Sequence, residues 1–178
     1  MLALDYLIPL ILTPPAINAQ VTTLNLQYTA LGAAYKPVPM LDNTVGVVNI
    51  WDKAWSSLVP PVVGYEVGFM RESGTEVVLQ GKNRDDFEVF ITCVAQDADE
   101  RLARQQAAVY WEAIRMVLDN PTAVGLEGQL LPNVVPIRGI VKIGPRVGLE
   151  MVTVDMAAAG KKLGFRSVWV MTLDTVRP

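Results

Sequence analysis

Residues 86–121 read DFEVFITCVAQDADERLARQQAAVYWEAIRMVLDNP. The first ten alternate, so Phe87, Val89, Ile91 and Cys93 fall on one face of an extended chain and Phe90 and Val94 on the other. Large apolar groups on both faces predict a strand covered on both sides. The period then changes. Ala103, Ala107, Tyr110, Ile114 and Val117 recur at helical spacing, while Glu100, Arg104, Gln105, Glu112, Arg115 and Asp119 fall largely elsewhere. This predicts a helix from Asp97 to Leu118. Asp97 as N-cap sets Glu100 at the third position, close to a capping box, and Asp99 adds negative charge to the first turn. Asn120-Pro121 closes the helix, because the residue before proline is pushed out of helical geometry.

Upstream of this stretch, Val62–Met70 and Thr75–Gln80 read as strands joined by a turn at Arg71-Glu72-Ser73-Gly74, with a second turn at Gly81-Lys82-Asn83-Arg84. Further back, Pro37-Val38-Pro39 reads as a rigid connector and Asp42-Asn43-Thr44 as a helix cap. Val45, Val48, Trp51, Trp55 and Leu58 then make a helical stripe that stops at Pro60-Pro61. Downstream, Val134–Ile143, Gly148–Val154 and Phe165–Thr175 are strand-like. Gly144-Pro145-Arg146 and Ala159-Gly160-Lys161-Lys162 form the breaks between them. The order predicts an α+β fold: a mainly antiparallel β-sheet with a long amphipathic helix packed on one face. Residues 41–178 are expected to form that single domain, behind an N-terminal extension over 1–40.

The extension has its own signature. No charged side chain occurs from Tyr6 to Tyr35. A membrane-spanning helix needs roughly 20 predominantly apolar residues. Here Pro9, Pro14 and Pro15 interrupt the run, and Asn18, Gln20, Thr22, Thr23, Asn25 and Gln27 polarise its second half. The apolar run Leu7–Leu12 has signal-peptide length, but the charge beside it is Asp5 rather than a lysine or arginine. The reading is therefore an N-terminal arm or short helix, mostly extended and not in a membrane. It is expected to pack on a neighbouring subunit, since alone it exposes Leu2, Leu7, Ile8, Leu10, Ile11 and Leu12.

Composition argues against most enzyme classes. Apolar residues make up 51% of the 178-residue chain and charged ones 19%, which suits a packed core rather than a disordered tail. Fifteen basic against eighteen acidic residues leave a net charge of −3, with no sign of a nucleic-acid binder. There is no histidine, which removes Ser-His-Asp and Cys-His nucleophile systems and histidine metal sites. The single cysteine, Cys93, makes neither an intrachain disulfide nor a CxxC zinc site, and in an apolar strand it reads as a small core residue.

The remaining candidates have structural explanations. Asp97, Asp99 and Glu100 resemble a carboxylate cluster, but capping and the helix dipole explain them without a metal. Asp85 and Asp86 face opposite sides of a strand start. Gly160-Lys161-Lys162 lacks the spacing and the hydroxyl of a phosphate loop, and Gly139, Gly144 and Gly148 do not make GxGxxG. Trp51, Trp55 and Trp111 read as core or contact residues, with Trp111 four residues before Arg115 and able to stack on it. Arg101, Arg104 and Arg115 are diluted by acidic neighbours. No catalytic residue, cofactor or metal is expected.

The run from Phe87-Glu88-Val89-Phe90-Ile91-Thr92 through Asp97-Ala98-Asp99-Glu100-Arg101 and Leu102–Ala107 to Val117–Thr122 and Gly125-Leu126 resembles the tail terminator (tail completion) proteins of long-tailed bacteriophages. In that family a strand enters an amphipathic helix, the helix closes on a Pro-Thr-x-x-Gly-Leu type of loop, and further strands complete the sheet. Val62 to Thr175 fits the layout, and head–neck connector proteins share much of it. The resemblance implies a structural virion protein, made in the host cytoplasm, that forms a homohexameric ring at the tail–neck junction. The ring would cap the tail tube, stop its polymerisation and meet the neck or head connector protein, with DNA only passing through the pore. On that reading the subunit contacts are expected on the outer side of the central helix, at Arg104 and Arg115, or on the turn holding Arg71 and Glu72. Two alternatives stand beside it: a neck connector or tail-tube subunit, and a module that binds a small apolar ligand. An enzyme would need an Asp, Glu or Lys mechanism, for which no pair is convincingly spaced.

Overall fold

Five strands form one sheet in the order β1-β2-β3-β5-β4: β1 (Val47–Asn49), β2 (Val62–Val67), β3 (Lys82–Val94), β4 (Ile137–Met156) and β5 (Gly160–Val176). With them lie the helices α1 (Pro14–Leu31) and α2 (Glu100–Leu118), and residues 8–11 form a short helical turn before α1. The structure is a computed structural model that describes residues 8–32, 34–50, 58–67, 82–95, 97, 99–119, 137–156 and 160–176, with backbone alone over 82–88, 137–156 and 160–176. The fold is α+β.

β1 runs parallel to β2, and the other pairs are antiparallel. β5 sits between β3 and β4, so those two run parallel with one strand between them, and α2 lies in the connection that links them. That is a split β-α-β unit. β3 is the hinge of the sheet. Its C-terminal half pairs with β2 from Val67↔Val89 to Val62↔Val94, and its whole length pairs with β5 from Lys82↔Val176 to Val94↔Gly164.

Several expected breaks are strand. Lys82, Asn83 and Arg84 already pair with Val176, Thr175 and Asp174, so the expected turn there is corrected. Gly160, Lys161 and Lys162 open β5, paired with Met156, Asp155 and Val154. Gly144-Pro145-Arg146 lies inside β4, which absorbs it through register shifts between Pro145 and Val147 and between Val147 and Glu150. A proline has no N–H to give a ladder, and it is tolerated here because β4 is the edge strand and bulged at that point.

Over residues 45–50 the expected helix is also corrected. Asp42 caps a turn instead: its Oδ1 accepts from the Thr44 and Val45 amides at 2.7 and 3.0 Å and from the Thr44 hydroxyl at 2.6 Å. These donors hold the Asp42 carboxyl below its ordinary pKa. Gly46 closes the turn by donating to the Asp42 carbonyl at 2.8 Å, and a Cβ there would lie 2.4 Å from that same oxygen. The Gly46 carbonyl in turn accepts from Val63 at 2.8 Å, which starts the β1–β2 pairing. Turn and ladder together outweigh the helical spacing. Trp51, Trp55 and the expected segments at residues 68–81 lie outside the described residues.

The N-terminal reading changes most. Of the expected arm or short helix, the part read as extended is a helix from Pro14 to Leu31, with Thr13 as N-cap accepting from the Ala16 amide at 3.3 Å. Pro14 and Pro15 sit in the first turn, where the missing N–H costs nothing and the fixed φ suits the helix. The same core holds Ile8, Ile11, Leu12, Ile17, Val21 and Leu24 with Val63, Tyr65, Val89, Ile91 and Cys93 of the sheet and Val109, Tyr110, Ile114 and Leu118 of α2. The segment is thus part of the domain's own interior. On the opposite face of β2 and β3, Val48, Leu58, Val62 and Val94 make a second, smaller cluster.

Candidate functional site

α2 positions the polar groups singled out in the sequence. Its N-cap is Asp99 rather than Asp97: Asp99 Oδ1 accepts from the Arg101 amide at 2.8 Å. Asp97 stands outside the helix, taking the Asp99 amide at 3.1 Å on one oxygen and Gln106 Nε2 at 3.2 Å on the other. Glu100 is the first helical residue and pairs with Arg104 at 2.6 Å. The three carboxylates of the apparent cluster therefore each have a separate task. Among the described residues no group of His, Cys, Asp or Glu is placed to hold a metal ion.

Inward, Ala103, Ala107, Tyr110, Ile114 and Val117 are all buried. Outward, Arg104 and Arg115 do not meet one another's partners. Arg104 is held by Glu100, one turn before it, and Arg115 by Glu112 at 2.5 Å. The Arg115 guanidinium also lies 5.9 Å from the centroid of the Trp111 ring, near enough for cation–π attraction. Two donors in this group, Trp111 Nε1 and Arg115 Nε, are covered and find no acceptor among the described residues. The outer side of α2 thus carries two intrahelical ion pairs and, at Trp111 and Arg115, two covered donors without an acceptor among the described residues.

Cys93 lies in β3 between Val63 of β2 and Phe165 of β5 in register, fully enclosed by the core. Burial pushes its thiol from 9.0 up to about 12. A thiol held in that state is neither a nucleophile nor a metal ligand at neutral pH. Tyr110 is pushed up in the same way, first by burial, and its hydroxyl donates to the Pro39 carbonyl at 2.5 Å. Both are interior groups. Asp85 and Asp86 stand opposite Leu173 and Thr172 in the β3–β5 register, and strand alternation sends neighbours to opposite faces. Arg71, Glu72 and the residue 120–126 loop of the resemblance lie outside the described residues.

The polar residues whose role the sequence hid are Asn18 and Asn25. Both bind the backbone of residues 38–41. Their spacing of seven, two helical turns on one face, is the signal that marks them, once the segment is known to be helical. Among the described residues no helix is long and apolar enough to cross a membrane. No protein-family model and no curated protein matches the chain.

Proposed function

We propose that this chain is a structural subunit of a closed ring, a homohexamer at the tail–neck junction of a long-tailed phage virion. The ring caps the tail tube, ends its polymerisation and joins it to the head connector. The observation that carries the reading is the order strand, helix, strand, strand within one sheet, β3-α2-β4-β5, over the residues that bear the resemblance. In this reading α2 is the amphipathic helix laid across one face of the sheet, and its outer strip meets the next subunit. A ring built from one repeated heterologous contact closes with cyclic symmetry, so the function lies in matched surfaces rather than in a reaction. The patch at Trp111 and Arg115 supports the choice of surface. A neighbour that shifts the Arg115 side chain and offers acceptors satisfies both donors.

Charge reversal tests the contact. Arg104→Glu breaks an exposed i,i+4 pair worth about 0.3–0.5 kcal/mol, so the protomer stays folded. Arg115→Glu removes the pair with Glu112 together with the stacking on Trp111. Both variants are expected to keep the wild-type circular dichroism spectrum while the oligomer dissociates at about tenfold higher protein concentration or more, an effect of about 1.4 kcal/mol per contact. Oligomer size unchanged in both variants rejects the helix as the contact.

A further inference from the structure

After α1 the chain turns back as an extended strap, residues 35–41, lying between the two helices. Asn18 Nδ2 donates to the Leu41 carbonyl at 2.9 Å, and its Oδ1 accepts from the Leu41 amide at 2.8 Å. Asn25 treats Val38 in the same way, at 2.9 and 2.8 Å, and its Oδ1 also accepts from the Tyr35 hydroxyl at 2.6 Å. Each carboxamide thus pairs with both backbone groups of one strap residue, as an adjoining strand would. From the other side, α2 holds the strap through Tyr110, bonded to the Pro39 carbonyl at 2.5 Å, and Gln105, bonded to the Lys36 carbonyl at 2.8 Å. Val38 and Leu41 are buried, while Pro37, Pro39 and Met40 are exposed.

The two spacings match. Seven residues of helix advance about 10.5 Å at 1.5 Å per residue. Three residues of proline-rich extended chain advance about 9 Å. Asn18 meets the later strap residue and Asn25 the earlier, so strap and helix run antiparallel. A slip of α1 by one turn, about 5.4 Å, breaks all four asparagine bonds to the Val38 and Leu41 backbone together. The buried apolar stripe of α1 is narrow. Only Ile17, Val21 and Leu24 of α1 are buried, Leu26 and Leu31 are exposed, and the helix carries no charge. Its main packing partner is α2 rather than the strands.

We propose that α1 and residues 35–41 are a single latched unit that opens and closes together while the sheet stays folded. Asn18 and Asn25 set its register. Opening bares the side of α2 that carries Gln105 and Tyr110. The inference is independent of the ring reading, since it concerns one protomer.

Amide hydrogen exchange on the full chain tests it, because a cooperative unit gives its amides one opening equilibrium. Val38 and Leu41 of the strap and Val21 and Leu24 of α1 are expected to share one protection factor, at least about tenfold below those of Val63 and Ile91 in the sheet. Strap amides that differ from those of α1 by more than about tenfold overturn the single unit, as do four amides protected equally with the sheet. Asn25→Asp then keeps the acceptor for Val38 and Tyr35 but cannot donate to the Val38 carbonyl at neutral pH. Exchange at Leu41, which residue 25 does not touch, is expected to rise at least about tenfold with Val63 unchanged. A rise confined to Val38 contradicts the latch.

Discussion

Leu24→Ala is expected to lower the stability of the protein by about 2–5 kcal/mol, whereas Leu26→Ala, two residues away on the same helix, changes it by no more than about 0.5 kcal/mol. Leu24 is 4% exposed and Leu26 70%. The first loses its transfer free energy and leaves a cavity among residues that cannot fully close on it. The second faces water, and alanine is the better helix former there. Denaturant melts of both variants measure the difference. The pair separates a core helix from the extended arm that the uncharged N-terminal composition suggests, because in an arm both substitutions are near neutral. Two small, equal effects would remove α1 from the core.

Alkaline pH is expected to weaken the fold through Cys93. Its folded-state pKa, about 12, lies above the ordinary 9.0. The folded state therefore prefers the neutral thiol, and the stabilising contribution is complete below pH 9 and lost as the pH rises towards 12. Ionising an enclosed thiol therefore costs the folded state stability throughout that window. Tyr110, also raised by burial, acts in the same direction at the upper end. Cys93→Ala costs some packing at pH 7 but removes the thiol from the titration. Its stability is then expected to fall less steeply than that of the wild type between pH 9 and 12. Parallel pH profiles for the two proteins would show that Cys93 is not enclosed as described.

Periodicity read best where one element decides the environment. Ala103, Ala107, Tyr110, Ile114 and Val117 point inward from α2, and the alternation around Val89, Ile91 and Cys93 places all three in the larger core. Val94, on the other face, joins the second cluster. The failures have physical causes. Pro14 and Pro15 look like interruptions of an apolar run, yet after Thr13 they are the first turn of a capped helix. Val45 and Val48 keep helical spacing, but a glycine-requiring turn with a parallel ladder to β2 overrides it over residues 45–50.

Pro145 signals a break, but an edge strand can bulge around it. Tertiary partners were the least legible feature. Nothing local tells that Asn18 and Asn25 will read the backbone of residues 38 and 41, because their ligand arrives only when the chain folds back. The pairing of Arg104 with Glu100 and of Arg115 with Glu112 was latent in the helical spacing. It leaves the outer strip of α2 nearly neutral, so the proposed contact rests on shape, stacking and hydrogen bonding more than on net charge.

The assembly state is the most direct test of the proposed function. Light scattering on the purified chain after size exclusion, followed by negative-stain imaging of the peak, distinguishes the alternatives. The account predicts a closed ring with a mass of about six times 19.5 kDa, which shortens the tubes when added to polymerising tail-tube protein. Open-ended tubes of the chain itself, or a particle that leaves tube growth unchanged, would contradict it.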